Sequence, residues 1–145
     1  MPTQNYKTHR RFISLYHFIL YPIILACVAA SVWIFYTAFF LAEHGRLIAL
    51  TIGALSVSSL LLCYFGRAFA LKAQDRAIRA EENLRHFVMT GKLLDSRLTT
   101  SQIIALRFAD DSEFLILAER AANENLKAED IKKAIVNWKP DHYRA

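Results

Sequence analysis

The sequence predicts an all-α membrane protein: a two-helix transmembrane hairpin whose second helix extends into the cytoplasm, followed by three short cytoplasmic helices. Three observations lead there. First, 54% of the 145 residues are hydrophobic and they fall in two blocks, with no Asp, Glu, Lys or Arg between Arg11 and Glu43 or between Arg46 and Arg67. A helix rises about 1.5 Å per residue and a hydrocarbon core is about 30 Å thick, so roughly 20 apolar residues are needed and both blocks qualify. Second, Lys7, Arg10 and Arg11 precede the first block and Arg67, Lys72, Arg76 and Arg79 follow the second, whereas the connection Ala42-Glu43-His44-Gly45-Arg46 offers a single arginine. Basic residues stay on the cytoplasmic side, so both termini are expected there. Third, Ser56, Ser59, Cys63, Gly66, Ala70, Ala73, Ala77 and Ala80 follow one another at alternating spacings of three and four, and Leu84 and Phe87 continue the phase. A heptad rhythm kept across a change from lipid-like to water-like composition is most simply one helix, half in the bilayer and half outside, with a narrow face made for close packing.

These signals divide the chain into an N-terminal cytoplasmic arm (1–16), a transmembrane hairpin (17–66, spans at about 17–41 and 47–66), a cytoplasmic stalk helix (67–90) and a C-terminal helical domain (91–145). Pro22 falls in the first turns of the first span, where a missing amide costs least. That span is rich in aromatics suited to the interfacial belts, and Ala26 and Ala30 form a small-x-x-x-small pair. In the second span Ala49, Gly53 and Ser56 match them, so small residues serve a tight antiparallel hairpin and an oligomer interface equally well.

The stalk carries Asp75 with Arg79 and Glu81 with Arg85 as acid-before-base pairs four residues apart, each contributing a few tenths of a kcal/mol. Thr90-Gly91 supplies its stop. A helix from Leu47 to Met89 would be roughly 65 Å long, more than twice the hydrocarbon thickness, and its alanine face needs a partner. Three short helices follow. Thr99 and Gln102 read as a capping box, with Leu98 and Ile103 as its hydrophobic staple. Asp110 and Glu113 repeat the box ahead of Phe114, Leu115, Leu117, Ala118 and Ala121. Ile131, Ala134, Ile135 and Trp138 form the stripe of a last helix that ends before Lys139-Pro140. Helices this short bury little surface alone and are expected to fold on the stalk or on a neighbouring subunit.

At Ala70-Leu71-Lys72-Ala73-Gln74-Asp75-Arg76, at Ala105-Leu106-Arg107-Phe108-Ala109-Asp110, and at Ile131-Lys132-Lys133-Ala134-Ile135 with Asn137-Trp138-Lys139-Pro140-Asp141, the chain resembles a family of short two-span bacterial inner-membrane proteins of unknown function. Gln4-Asn5-Tyr6-Lys7 with His9, Arg10 and Phe12 fits it too. The resemblance implies a multi-pass inner-membrane location and carries no activity. Lys127 departs from it, since a serine-like cap is expected before the last helix.

Catalytic and cofactor chemistry finds little footing. His9 and His17 lie toward one side of the first span, the second span has no histidine to face them, and His44 is on the opposite side, so one subunit cannot clamp a haem. Neither metal-spaced His-Glu pairs nor a Cys-x-x-Cys occurs, and Cys27 and Cys63 read as small packing residues with no disulfide between them. Ile24-Leu25-Ala26-Cys27 loosely resembles a lipoprotein cleavage box, but the apolar run continues through Leu41. Asp110, Asp111 and Glu113 are the one dense acidic cluster, and at a helix start their ordinary task is capping. The four glycines, at 45, 53, 66 and 91, build no phosphate-cradling loop. The net charge of +5 is accounted for by juxtamembrane basic residues facing anionic headgroups, which argues against nucleic acid as a partner. No small-molecule substrate is evident either.

The expectation is therefore a non-catalytic assembly or accessory subunit without cofactors. Its helix-packing interface would be Ser56, Ser59, Cys63, Gly66, Ala70, Ala73, Ala77 and Ala80, and its partners membrane lipids and either itself or a larger membrane complex. The alternative is a membrane-surface regulator that binds anionic lipid headgroups through Arg67, Lys72, Arg76 and Arg79.

Overall fold

The computed structural model describes residues 5–6, 13–40 and 45–141. Lys7, His9, Arg10, Arg11 and, in the connection, Ala42, Glu43 and His44 lie outside the described residues. The chain forms two compact units, Arg11–Phe69 and Met1–Arg10 with Ala70–Ala145. All regular elements among the described residues are helical.

The unit Arg11–Phe69 begins with a π-helical turn, Leu15–Leu20, that leads directly into α1, Tyr21–Phe40. The wider turn has a local cause. Pro22 has no amide to donate and its ring crowds the carbonyl one turn back, and the π register, closed by the Tyr21 N–H donating to the Tyr16 carbonyl, relieves that crowding. Pro22 thus lies just after a helical turn already formed. α2 then runs unbroken from Arg46 to Thr90. Gly45, at φ +92°, makes the turn into it and accepts the Ala49 amide at 2.9 Å, and Gly91, at φ +72°, ends it as the stop signal predicts.

α1 and the first part of α2 pack antiparallel. Near one end the Arg46 guanidinium lies 5.6 Å from the Phe39 ring. Near the other, the Tyr16 hydroxyl donates to the Cys63 carbonyl at 2.8 Å and Arg67 lies 5.7 Å from the Tyr16 ring. The seam is traced by half-buried Tyr21, Ile24 and Val28 with buried Ser31 and Ala38 on α1, and by buried Ala49 with half-buried Gly53, Ser56, Leu60 and Cys63 on α2. Ala49, Gly53 and Ser56 are therefore hairpin residues. Ala26 and Ala30 are exposed instead. At roughly 100° of turn per residue they sit off the row through Ile24, Val28 and Ser31, so Ser31 and Ala38 are the small contacts on α1.

The other unit gathers α3 (Thr100–Leu106), α4 (Asp111–Asn123) and α5 (Ala128–Ala134) around Leu94, Leu98, Ile103, Leu106, Phe108, Phe114, Leu117 and Ile131. The Thr99–Gln102 capping box forms in full, and its staple residues Leu98 and Ile103 are both buried. Lys127 starts α5 with no side-chain cap. Two expectations fail for one reason. Glu113 does not reach back to close a capping box at Asp110; its carboxylate accepts the amides of Val136 at 3.1 Å and Asn137 at 3.0 Å. With those donors taken and Ile135 extended, α5 stops at Ala134, and Trp138 lies in an extended segment bridged to Ala109. Replacing Phe108, 1% exposed, with alanine should destabilise this unit by about 3–5 kcal/mol, seen as lost amide protection in α3–α5 while α1 amides keep theirs.

Candidate functional site

From Ala70 to Thr90 α2 has two faces with different fates. The inward face buries Ile78 and Glu82 and half-buries Gln74, Asp75, Asn83, Arg85 and His86. Its anchor is Arg85. The guanidinium lies 4.1 Å from the Phe114 ring centroid, donates to the Ala109 carbonyl at 2.8 Å and to Glu82 at 3.0 Å, and also pairs with Asp111. Nearby, Asn83 Oδ1 accepts the Leu94 amide at 3.3 Å and the His86 ring meets Phe114 edge-on at 6.2 Å. The expected Glu81–Arg85 pair is replaced by Glu82–Arg85, and no Asp75–Arg79 ion pair forms among the described residues. Spacings of three and four are equivalent on a helix, and the face that holds Ile78 decides between them.

The outward face holds the rest of the small-residue seam. Ala70, Ala73, Ala77 and Ala80 are all exposed, as are Leu84 at 62% and Phe87 at 49%. Within the hairpin, Ser59 and Gly66 are exposed as well, and of the seam only Ser56 and Cys63 are half-buried. The basic residues also divide. Lys72, Arg76 and Arg79 are exposed and share one face at roughly 100° per residue, while Arg67 points elsewhere, half-buried at the Tyr16 ring.

Each carboxylate of the acidic cluster has a structural task. Asp110 caps α4, and the amide and hydroxyl of Ser112 hold its carboxyl below the usual aspartate range. Asp111 pairs with Arg85, and Glu113 holds the 136–137 backbone. Among the described residues no three His, Cys, Asp or Glu side chains gather where a metal ion could sit. A groove of about 600 Å³ lies between the end of α2, the 91–99 segment and α4, lined by His86, Leu93, Asp95, Arg97, Leu115 and Glu119 among others. Its lining includes the Asp95–Arg97 pair at 2.7 Å.

Two of the sequence motifs meet in space. The Asp110 amide donates to the Asn137 carbonyl at 3.1 Å, the Lys139 amide donates to Phe108 at 2.8 Å, and Phe108 and Trp138 rings stand 5.1 Å apart. Arg107, 9% exposed, reaches Asp141 at 3.4 Å. Ala105–Asp110 and Asn137–Asp141 thus form one scaffold that closes the domain, a pairing no local periodicity announces. A family model described as a family of unknown function (DUF6526) matches residues 1–145. The chain belongs to DUF6526. No curated protein and no solved structure matches it. In this DUF6526 chain the third motif, Ala70–Arg76, is the one whose residues are mostly left uncovered by the chain's own packing.

Burial ranks the ion pairs. Arg85→Ala should cost about 3–5 kcal/mol because Glu82, 9% exposed at its side chain, is left without its guanidinium. Asp111→Ala should cost under about 1 kcal/mol, its side chain being 68% exposed, and chemical denaturation of both variants checks the order. The hydrogen bonds from Arg97 lower the Asp95 carboxyl from 3.8 to about 2. A depressed carboxyl stabilises the fold above its unfolded value and loses that contribution as pH falls toward about 2. Carboxyl-carbon NMR titration should find Asp95 in that range in the wild-type chain and raised in Arg97→Gln, yet still below 3.8 because the residue-97 amide keeps its hydrogen bond to the carboxyl.

Proposed function

We propose that this chain is a non-catalytic, two-span protein of the bacterial inner membrane, both termini cytoplasmic, that acts as an assembly or accessory subunit through helix–helix packing. The observation that carries the reading is the bareness of its apolar helices. In Leu15–Phe40 and in Arg46–Thr90 the most apolar stretch is only 6% buried within the chain. A helix of a water-soluble core hides its apolar side chains in its own fold; these need another apolar surround, and lipid supplies it. The aromatic Trp33, Tyr36 and Phe40 at one end of α1 and Tyr64 and Phe65 on α2 are exposed where an interfacial belt would use them.

The charged unit that follows has a core of its own, and beyond the hairpin the bare surface of α2 continues as the outward seam. A chain with an uncovered packing face is suited to docking, with close backbone approach from the alanines and specificity from the polar residues beside them. The shared face of Lys72, Arg76 and Arg79 supports the second reading, an anionic-lipid surface, with Arg67 not part of it.

The protein should stay in membranes through an alkaline carbonate wash. With Cys27 and Cys63 replaced, single cysteines at positions 3, 44 and 145 should label from outside only at 44. Ala77→Glu should reduce assembly at least tenfold without unfolding the chain, since residue 77 is exposed, and Lys72→Gln with Arg79→Gln, both off the seam, should leave assembly largely intact. Lost binding to anionic vesicles in the Lys72 and Arg79 variant, with unchanged size in the alanine variant, would favour the lipid reading.

A further inference from the structure

We infer that the outward face of α2 between Ala70 and Phe87 docks a second copy of this chain, the two helices parallel and in register, with Arg76 of each copy set against Glu81 of the other. The inference rests on the membrane-subunit reading for one of its two arguments on direction. In heptad terms the exposed residues are a positions Ala70, Ala77 and Leu84 and d positions Ala73, Ala80 and Phe87. The opposite face, with Ile78, Glu82 and Arg85, is already committed to the chain's own domain. The free face is not only small residues: Leu84, Phe87 and neighbouring Val88, at 76%, are exposed apolar side chains outside any hydrophobic span.

The flanking charges choose the occupant. Arg76 is a g position and Glu81 is the e position five residues on, the relation that pairs across a parallel two-stranded coil, twice by symmetry. Both side chains are exposed, and neither forms an ion pair among the described residues, because Arg85 takes Glu82 and Asp111 and leaves Glu81 aside. An antiparallel pairing matches g with g and e with e, which puts Arg76 against arginine or asparagine and Glu81 against glutamate or glutamine. Membrane insertion gives the same direction independently, since two copies whose hairpins cross in one sense send α2 out of the bilayer the same way. Alanine at four of the six core positions lets the axes approach to the lower end of the range of about 8–10 Å.

The test uses the full chain in membranes, with Cys27→Ala and Cys63→Ser as background. Single cysteines in Ala73→Cys and Ala80→Cys should each form a disulfide-linked pair on mild oxidation, whereas Lys72→Cys and Asp75→Cys should not. Differently tagged Arg76→Glu and Glu81→Arg chains, co-expressed, should co-purify roughly tenfold above either variant with itself, because only the mixed pair sets opposite charges at both sites. The double variant R76E/E81R should pair with itself as wild type does, which separates charge matching from misfolding. Absence of linkage at 73 and 80 in carbonate-resistant protein overturns the pairing and leaves the membrane reading standing. Linkage without preference for the mixed charge pair overturns the parallel register. Release of the chain by carbonate overturns the membrane reading itself, whatever the cysteines do.

Discussion

The guanidinium of Arg85 decides how this molecule is put together beyond its apolar hairpin. It lies on the Phe114 ring, takes the carbonyl that ends the α3 turn at Ala109, and holds Glu82 and Asp111, so that one side chain ties α2 to the loop before α4 and to α4 itself. A planar group with donors in a fixed fork suits this work better than an ammonium would. Its cost is desolvation, offset only while all of these partners are in place. The domain core then forms beside it: Phe114 is covered, and the Ala105–Asp110 and Asn137–Asp141 segments close over Phe108.

Because Arg85 sets which face of α2 turns inward, it also sets which face is left. A helix of 45 residues has to satisfy several environments along one surface, and here the heptad seam changes role along its length. Ser56 and Cys63 are half-buried in the hairpin, while Ala70 to Phe87 are uncovered. The seam and the hairpin row diverge by a fraction of a turn. The hairpin row passes through Ala49, Gly53, Ser56, Leu60 and Cys63, and its continuation reaches Arg67, leaving Gly66 and Ala70 to the outside.

What was legible in the sequence is what depends on local periodicity and caps. The two apolar helices, the unbroken α2, its stop at Gly91 and the Thr99–Gln102 box each need only neighbours within one or two turns. What was not legible needed a partner distant along the chain. Glu113 has the spacing of a capping box, yet two amides more than twenty residues away compete for its carboxylate and win. That competition shortens α5 and moves Trp138 from a helical stripe to an extended bridge. Ala26 and Ala30 look as suitable as Ser31 and Ala38 for close contact, and only the position of α2 separates them. For the candidate site, the seam residues were legible as a row, whereas their exposure was not, since it follows from Arg85 committing the opposite face.

The ionic anchor also explains how one helix keeps two apolar faces distinct. A buried ion pair is not by itself a stabilising device, and well-packed hydrophobic residues in its place are often as favourable. Had Glu82 and Arg85 been leucines, α2 would present Ile78 with two leucines on one side and Leu84 with Phe87 on the other, and α4 would have little reason to prefer either. With charges at 82 and 85, docking α4 on the outer face would strand a carboxylate and a guanidinium without the Ala109 carbonyl or Asp111. The penalty for the wrong face is therefore electrostatic while the attraction to the right one is largely apolar, through Phe114. The same choice leaves Glu81 outside the domain's ion pairs, beside a seam that the domain cannot cover.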